Sequence, residues 1–402
     1  MEKKGKRIKV QTSTFIKALG AASIGNGKGY VLLINPALKQ GDETVQGAVL
    51  ASSDGECLGR CAFPIKAEGF QEQQLVYPAK SLRDAAMTLS KVTELMVISI
   101  KESFLELATE NGTSRVRVPL NESDKMFDVP PSEAKGATFV ALETAEFAKI
   151  VRCGGYAAVK ASSEMRAMFF MAQDNQFSVC SYNNFYMGKA VIDVEKSVNM
   201  PSAGQWHAVN DSFVRAVAAN LTGNMVQVGL TDKYVTISDS DGQIYASRKL
   251  VLHISNAAIK ILDCEEKEYS GEFHRKDILL GVEVATVGLE KATYFQIETA
   301  EDGTLLLMSP NGENKACVVQ TKHVDSMENA YLGVEVFKAV LSNLGDTIRY
   351  YGINSGTEER KAKVIYFEGE TGKVKYRSAL ARVNKEVTDE AAKKEEKGKG
   401  NE

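Results

Sequence analysis

Hydrophobic and polar positions along the chain follow a pattern that repeats six times. In each repeat an apolar anchor is followed by apolar residues three and four positions later, the spacing of one face of an α-helix. The anchors recur at intervals of 59 to 67 residues. They are Phe15, Leu82, Phe147, Phe213, Ile278 and Phe337. Capping residues such as Ser13, Thr144 and Asn210 lie near several helix starts. The pattern predicts six amphipathic helices in one repeated unit.

A β-rich run broken by a turn signal follows each helical segment. Pairs such as Asp54-Gly55 and Asp241-Gly242 lie between strand-like runs and favour hairpins. The other turn signals are Asn111-Gly112, Asp174-Asn175, Asp302-Gly303 and Thr371-Gly372. The strand-like runs include residues 96–100, 116–118, 167–171, 235–237, 305–308 and 364–367. Each repeat is therefore predicted to hold one helix and a small antiparallel meander.

One such repeat has a single helix and cannot enclose a core, whereas two repeats together can. Pairing neighbours predicts three domains, at residues 1–136, 137–267 and 268–384. Residues 130–136 and 263–269 are the expected linkers, and the Lys/Glu/Gly-rich residues 385–402 are expected to be a disordered tail. The predicted fold class is α+β, with three domains of two helix-plus-meander repeats each.

Composition excludes some classes of protein and leaves others open. The 402 residues are 44% hydrophobic and 25% charged, as in globular proteins. The sequence has no apolar run of about 18 residues for a membrane span and no apolar segment behind its basic start for a signal peptide. Six scattered cysteines favour a reduced, cytoplasmic protein. The net charge is −3, so any attraction to nucleic acid must come from local basic patches.

Such basic patches are predicted on the helix faces opposite the anchors. At about 100° per residue, Lys149 and Arg152 lie opposite Phe147. The other bases so placed are Lys17, Lys80, Lys91 and Arg215, with Lys276 and Lys338 as the only comparable bases in the last domain. Each base alone is typical of a solvated helix face. Their repetition favours a sequence-independent lining for phosphates, provided that the helices face a common axis.

Signatures of catalysis, cofactors and metals are missing from the sequence. The loop Gly25-Asn26-Gly27-Lys28-Gly29 differs from a phosphate-binding loop because it follows a helix and ends without Ser or Thr. Cys57 and Cys61 have no second ligand pair at zinc spacing. The four histidines stand apart from nucleophile or carboxylate partners. We therefore expect no enzymatic activity, no cofactor and no metal site.

Three local segments are similar, in their order and spacing, to one known family. They are Tyr77-Pro78-Ala79-Lys80-Ser81-Leu82, Val116-Arg117-Val118-Pro119-Leu120 through Phe127, and Tyr376-Arg377-Ser378-Ala379-Leu380-Ala381-Arg382-Val383. With the repeats and the basic helices, they make residues 8–383 resemble the bacterial DNA polymerase III beta subunit, the DNA sliding clamp. The resemblance implies a head-to-tail homodimer that encircles duplex DNA, tethers a DNA polymerase and is opened by a clamp-loader ATPase.

The resemblance also implies site residues. Lys28 in the loop after the first helix and Arg166 before a second-domain strand match DNA contacts of the family, although Ala167-Met168 replaces its usual aromatic pair. A pocket for partner peptides is implied between the second and third domains. Its residues are Tyr182, Asn184, Phe185, Met187, Leu250, Val251, Leu380, Arg382 and Val383. Met187 and Leu250 are equally typical of core packing. Contacts between the two copies are expected near residues 286–287 and 104–107.

The sequence departs from the family around this pocket. Asn183-Asn184-Phe185 replaces a small polar segment, a Phe-Pro loop is missing near His253, and the chain continues past Val383. These departures favour a divergent clamp with altered partner motifs. Together with the less basic third domain, they keep a second hypothesis open: a clamp-like scaffold for protein interactions that does not encircle DNA. An enzyme built on a repeat scaffold is the third hypothesis.

Overall fold

The computed structural model describes most of the chain. The described residues are 7–26, 29–40, 43–67, 73–101, 103–119, 137–160, 166–183, 185–288, 294–353 and 364–383. Four predictions lie outside them: the linker at residues 130–136, the base Lys28, the pocket residue Asn184 and the tail at residues 385–402.

All six predicted helices are confirmed, and each anchor is at most 5% exposed. The helices are α1 Thr12–Ser23, α2 Ala79–Leu89, α3 Thr144–Gly155, α4 Asp211–Asn220, α5 Asn256–Leu262, α6 Arg275–Thr286 and α7 Val334–Ser342. The predicted cap at Asn210 is present, because its side chain accepts hydrogen bonds from the backbone N–H groups of Ser212 and Phe213. The repeat pattern did not predict α5, which Ser255 caps, nor a 3₁₀ turn at Tyr156–Lys160.

Each of the six predicted helices begins at the residue after a strand ends, and a meander of three strands follows it within the described chain. The first two repeats contain β1 Arg7–Gln11, β2 Gly29–Gln40, β3 Glu43–Ser53, β4 Cys57–Pro64, β5 Lys66–Ala67, β6 Gln73–Pro78, β7 Leu95–Ile100, β8 Phe104–Thr109 and β9 Arg115–Pro119. The next two contain β10 Thr138–Glu143, β11 Ala167–Gln173, β12 Gln176–Tyr182, β13 Tyr186–Asp193, β14 Lys196–Val198, β15 His207–Asn210, β16 Met225–Leu230, β17 Tyr234–Asp239 and β18 Gln243–Arg248. The last two contain β19 Tyr269–His274, β20 Tyr294–Thr299, β21 Leu305–Met308, β22 Lys315–Val318, β23 Lys322–Val324, β24 Ala330–Gly333, β25 Thr347–Gly352, β26 Val364–Thr371 and β27 Val374–Ala381. The repeat is therefore strand, helix and three-strand meander, and the sequence pattern missed its first strand.

The predicted turn pairs all lie between consecutive strands. Gly55 and Gly242 adopt left-handed backbone conformations, with φ of 91° and 83°. Glycine occupies this region without the steric cost that a Cβ brings, which explains its place in these hairpins. The hairpin predictions are therefore confirmed at residue level.

The first strand of a repeat pairs with the meander of its neighbour rather than with its own. In the first two repeats β1 pairs with β7, and Ile8 lies opposite Ile98, while β6 pairs with β2. The same exchange joins β10 to β16, β19 to β25 and β24 to β20. Neighbouring repeats therefore exchange their first strands within the described chain.

The described chain divides into two compact units. The first comprises residues 1–147, 172–175 and 194–250, and the second comprises residues 148–171, 176–193 and 251–402, apart from the residues outside the described ranges. The first unit has sheets of order β14-β10-β16-β17-β18-β4-β3-β2-β6 and β5-β1-β7-β8-β9. The second has the order β11-β12-β13-β27-β26-β25-β19-β23 and a separate sheet β22-β21-β20-β24. The division into three domains stays a prediction.

Last strands of distant repeats pair with each other inside both compact units. In the first unit β4 of repeat one pairs antiparallel with β18 of repeat four, and Gly59 lies opposite Tyr245. In the second unit β13 of repeat three pairs antiparallel with β27 of repeat six, and Gly188 lies opposite Ser378. The last strands of repeats two and five, β9 and β22, are end strands of their sheets.

The cores lie between the helices and the sheets. The Phe15 ring on α1 meets the Phe63 ring on β4 edge-on, with centroids 6.0 Å apart. In the second unit Phe337 on α7 touches both Phe295 and Phe367 in the same geometry. Burying one such side chain stabilises the fold by about 1.5–3 kcal/mol. Among the described helices, none is long and apolar enough to cross a membrane.

Candidate nucleic-acid and partner surfaces

The predicted base on α1 has a carboxylate partner. Lys17 is partly exposed, and its Nζ lies 2.9 Å from Oδ2 of Asp241 in the hairpin between β17 and β18. Asp241 also accepts a hydrogen bond from Thr222 Oγ1 at 2.9 Å. The hydrogen bonds from Lys17 and Thr222 hold the pKa of Asp241 below its usual value. Sequence reasoning missed this pair because its members are distant along the chain.

The base on α4 is also paired. Arg215 Nε lies 3.7 Å from Oδ2 of Asp211, one helical turn earlier. Asp211 is buried, and burial lowers the pKa of Arg215 although the nearby carboxylate opposes that effect. The guanidinium is therefore only partly available on the helix surface.

The remaining predicted bases lie on or beside three further helices. Lys80 and Lys91 are exposed at the two ends of α2, and Lys276 is exposed in the first turn of α6. On α3 the Lys149 side chain is partly exposed and Arg152 is exposed, as the helical arithmetic predicted. Arg166 is exposed immediately before β11. Candidate bases thus lie on or beside α1, α2, α3, α4 and α6, and the partly exposed Lys338 lies on α7.

A groove of about 610 Å³ in the second unit brings Arg152 together with two arginines that sequence reasoning missed. Arg275 lies at the start of α6, and Arg349 lies on β25. The Arg275 guanidinium donates to the carbonyl oxygen of Leu344 at 2.7 Å and to Asp346 Oδ1 at 2.8 Å. The groove is not purely basic, because acidic side chains line it too. These are Glu272, Asp346 and Glu370.

Several residues of the predicted partner pocket meet at the turn between β12 and β13. Tyr182 lies opposite Met187 in the hairpin, and the backbone N–H of Ala381 donates to the Phe185 carbonyl oxygen at 2.8 Å. Phe185 is 63% exposed. The Tyr182 hydroxyl donates to the carbonyl oxygen of His253 at 3.3 Å. The turn therefore presents one exposed aromatic ring beside a fixed tyrosine.

The other pocket candidates have different environments. Val251 is 94% exposed, whereas Leu380 is 1% exposed and belongs to the core. Arg382 donates to the Tyr269 hydroxyl at 2.6 Å and to the Ile353 carbonyl oxygen at 3.3 Å, so its guanidinium is held by the second unit itself. The Val383 N–H donates to the carbonyl oxygen of Tyr331 on β24 at 2.8 Å, beyond the end of β27.

Leu250 and Met187 were the two candidates also typical of a core. Leu250 lies in the first compact unit, where its N–H donates to Ala208. Met187 packs against the buried cluster of Tyr351, Tyr366 and Ala379. The exposed apolar surface of this region therefore comes from Phe185 and Val251.

Helix α6 is apolar on two faces. Ile278, Val282 and Ala285 are buried, whereas Leu280, Val284 and Val287 are 60%, 41% and 64% exposed. The exposed group lies on the helix that packs against the end strand β22.

In the first unit α2 packs against the end strand β9 and carries Met87, which is 45% exposed. The predicted contact segment at residues 104–107 lies on β8, where Leu105 and Leu107 are buried. The neighbouring β9 is the end strand of this sheet, so the accessible strand there is β9.

Two observations on the described residues concern metal binding and nucleophilic side chains. The described residues contain no group of three or more His, Cys, Asp and Glu side chains that could hold a metal ion. Burial raises the pKa of both the Cys57 and Cys61 thiols to about 11, which keeps them protonated. His207 is buried, and burial lowers its pKa to about 4, so its imidazole is neutral at pH 7.

The structure of this protein, unlike its sequence, is similar to those of known proteins. No protein-family model matches the sequence. No curated protein matches it either. The DNA polymerase III beta subunit from Thermotoga maritima is 13% identical and matches 94% of this chain and 99% of its own, with a TM-score of 0.73. The beta subunit from Streptococcus pyogenes is 12% identical, with coverages of 94% and 100% and a TM-score of 0.76.

A DNA polymerase sliding clamp from Bacillus subtilis is similar in the same way. It is 12% identical, with coverages of 94% and 99% and a TM-score of 0.74. Such likeness over nearly whole chains establishes that this protein has the DNA sliding-clamp fold. The expectation that the sequence resemblance raised for the fold is therefore confirmed.

Proposed function

We propose that this protein is a DNA sliding clamp, a non-enzymatic processivity factor that encircles duplex DNA and tethers a DNA polymerase. One observation carries the proposal: the fold matches solved clamps along 94% of this chain and 99–100% of theirs. Because fold alone does not fix function, the surfaces supply the remaining support.

Strand pairing supports closure into a head-to-tail dimer. Last strands of repeats one and four pair, as do those of repeats three and six, which leaves β9 of repeat two and β22 of repeat five as end strands. Pairing β22 of one copy with β9 of a second copy would repeat the same antiparallel contact. Two such contacts would close a ring and cover the free edges of β9 and β22 in each copy.

The side chains around these edges support the same contact. Leu280, Val284 and Val287 beside β22 form an exposed apolar group of the kind that marks protein interfaces. Exposed Arg115 and Arg117 on β9 complement Glu283, which is exposed on α6. Apolar burial with opposite charges at its margin is the usual anatomy of a specific interface.

Bases on or beside α2, α3 and α6, together with Arg166 before β11, support sequence-independent contact with the DNA backbone. Exposed Lys80, Lys91, Arg152, Arg166 and Lys276 can neutralise phosphates without reading bases. A closed ring retains DNA by topology, so these contacts can be weak. The negative net charge is therefore compatible with this function.

Partner proteins can dock on the exposed apolar side chains of Phe185 and Val251, both in the second unit. We propose that short peptide motifs of the polymerase and of a clamp-loader ATPase dock there. An aromatic side chain in a small apolar patch is a frequent anchor for such motifs. Tyr182, Met187 and Leu380, in the strands beside Phe185, support this surface through packing and backbone hydrogen bonds.

Light scattering over a dilution series tests the ring, and DNA topology tests its function. We expect twice the mass of one chain, and retention on circular DNA that linearisation abolishes. Linear DNA with both ends blocked by bulky proteins is the matched control and should restore retention. A persistent monomer, or equal retention on circular and open linear DNA, would contradict the proposal.

A clamp-like scaffold that does not encircle DNA is the second candidate. The carboxylate partners of Lys17 and Arg215 favour it, because they reduce the charge available to phosphates. A dimer that binds clamp-interacting peptides through Phe185 but shows no retention on circular DNA would support this candidate.

A further inference from the structure

The ion pair between Lys17 and Asp241 joins two distant repeats. Lys17 lies on α1 of repeat one, and Asp241 lies 224 residues later in the hairpin of repeat four. Both belong to the first compact unit. The amine and the carboxylate therefore meet only because the fold brings repeats one and four together.

The hairpin holds the Asp241 carboxylate in a defined place. Thr222 Oγ1 donates to Asp241 Oδ2, the oxygen that also contacts Lys17. Asp239 fixes the turn, because its Oδ1 accepts from the backbone N–H groups of Asp241 and Gln243. Its Oδ2 accepts from the Thr222 N–H, which ties the loop after α4 to the hairpin. The carboxylate is thus positioned before any ligand arrives.

The ion pair between Lys17 and Asp241 nevertheless remains accessible to a competing anion. The Lys17 and Asp241 side chains are 35% and 42% exposed. A pair with this exposure changes an equilibrium constant by only about 1.4- to 5-fold. A phosphate oxygen offers the ammonium group the same anionic contact and can replace the carboxylate. Arg215 differs, because its partner Asp211 lies on the same helix and is buried.

We propose that Asp241 competes with the DNA backbone for Lys17 and so limits how tightly this part of the lining holds phosphate. The inference rests on the proposed function, because weak and rapidly exchanging contacts suit a ring that moves along DNA while topology retains it. Asp241 is a positioning residue that acts through Lys17, and it makes no DNA contact of its own.

Asp241→Asn tests the inference, because asparagine keeps an oxygen for Thr222 and removes the charge that holds Lys17. The readout is fluorescence anisotropy of the full chain with a short linear duplex at low salt. We expect Asp241→Asn to raise affinity by about two- to fivefold. Asp302→Asn is the matched control, since Asp302 is an exposed hairpin residue that contacts Thr304 and pairs with no base among the described residues.

A double-variant cycle separates action through Lys17 from a general charge effect. Lys17→Ala should weaken binding, and adding Asp241→Asn to it should change nothing further. An equal gain from Asp241→Asn and Asp302→Asn, or a gain that persists without Lys17, overturns the inference.

Two further results are absence of duplex binding and loss of retention on circular DNA, and each has its own meaning. Absence of duplex binding by both the wild type and Asp241→Asn overturns the inference too, because no phosphate contact then exists to be limited. Loss of retention on circular DNA, with the low-salt gain intact, counts against the closed ring alone. Thermal unfolding of every variant confirms that the fold is retained.

Discussion

The backbone of Gly25 lies directly against Gly59, so that a Cβ added to Gly59 would come within 3.0 Å of the Gly25 nitrogen. The same Cβ would lie 2.2 Å from the carbonyl oxygen of Ala21. Both contacts are with backbone atoms, which cannot rotate away. The end of α1 therefore rests on β4 with no room for a side chain.

Gly59→Ala is expected to destabilise the first compact unit by about 1–3 kcal/mol, since overpacking forces the backbone apart. Urea unfolding followed by circular dichroism measures the change. Gly20→Ala on α1 is the control, because its Cβ would meet only Asn220 Oδ1 at 3.4 Å. Alanine there should be neutral or stabilising, since it favours helix. Equal effects at both positions would contradict the close packing.

Arg377 fixes the end of α5 to the sheet, and its removal should destabilise the second unit. Its guanidinium bonds to Glu368 at 2.7 Å and to the carbonyl oxygens of Leu262 and Cys264. Arg377→Ala leaves a mostly buried Glu368 with fewer partners, at a cost of about 1–3 kcal/mol by chemical unfolding. Arg248→Ala is the control, because its pair with Glu56 is exposed and should contribute under about 1 kcal/mol.

Stability should fall on acidification because of His207. Its folded-state pKa of about 4 lies below the ordinary value of 6.5, so the unfolded chain takes up the proton first. The stabilisation is present above pH 6.5 and is lost between pH 6.5 and 4, and it amounts to at most about 3 kcal/mol. Unfolding of His207→Phe across this window should show a smaller pH dependence. An equal pH dependence in His207→Phe and in the wild type would contradict this assignment.

Charge reversal on α3 should weaken DNA association. Arg152→Glu is expected to reduce the affinity for duplex DNA at low salt several-fold. The slope of log affinity against log salt should fall by about 1, the value that one phosphate contact contributes. Lys322→Glu, on the exposed end strand β23, is the control and should change affinity much less. A salt titration of duplex binding gives both quantities. Equal losses in the two variants would point to net charge alone.

A charge on the exposed face of α6 should prevent the dimer. Val284→Glu places a carboxylate in the apolar group with Leu280 and Val287, where burial against a second copy would be costly. Light scattering should then report a monomer with an unchanged circular dichroism spectrum. Val198→Glu on β14 is the control, since Val198 is 54% exposed and β14 belongs to a different sheet from β9 and from β22. A dimeric Val284→Glu variant would place the interface elsewhere.

The sequence predicted the directions of the candidate basic side chains on their own helices, but not their contacts with other repeats. The helical arithmetic placed Arg152 and Lys149 opposite Phe147, as the structure has them, because one helix fixes the directions of its own side chains. It could not show that Lys17 meets Asp241, or that Arg152 shares a groove with Arg275 and Arg349. Those neighbours come from other repeats, and no local pattern encodes them.

The sequence by itself determined the repeat, its helices and its hairpins, because each depends on local periodicity and on turn residues such as Gly55 and Gly242. Only the tertiary structure decided which strands pair. The exchange of β1 and β6 between neighbouring repeats, and the pairing of β4 with β18, join segments whose alternation fits several sheets equally well. Strand alternation specifies which face is buried, whereas the partner strand is selected by long-range packing of the whole chain.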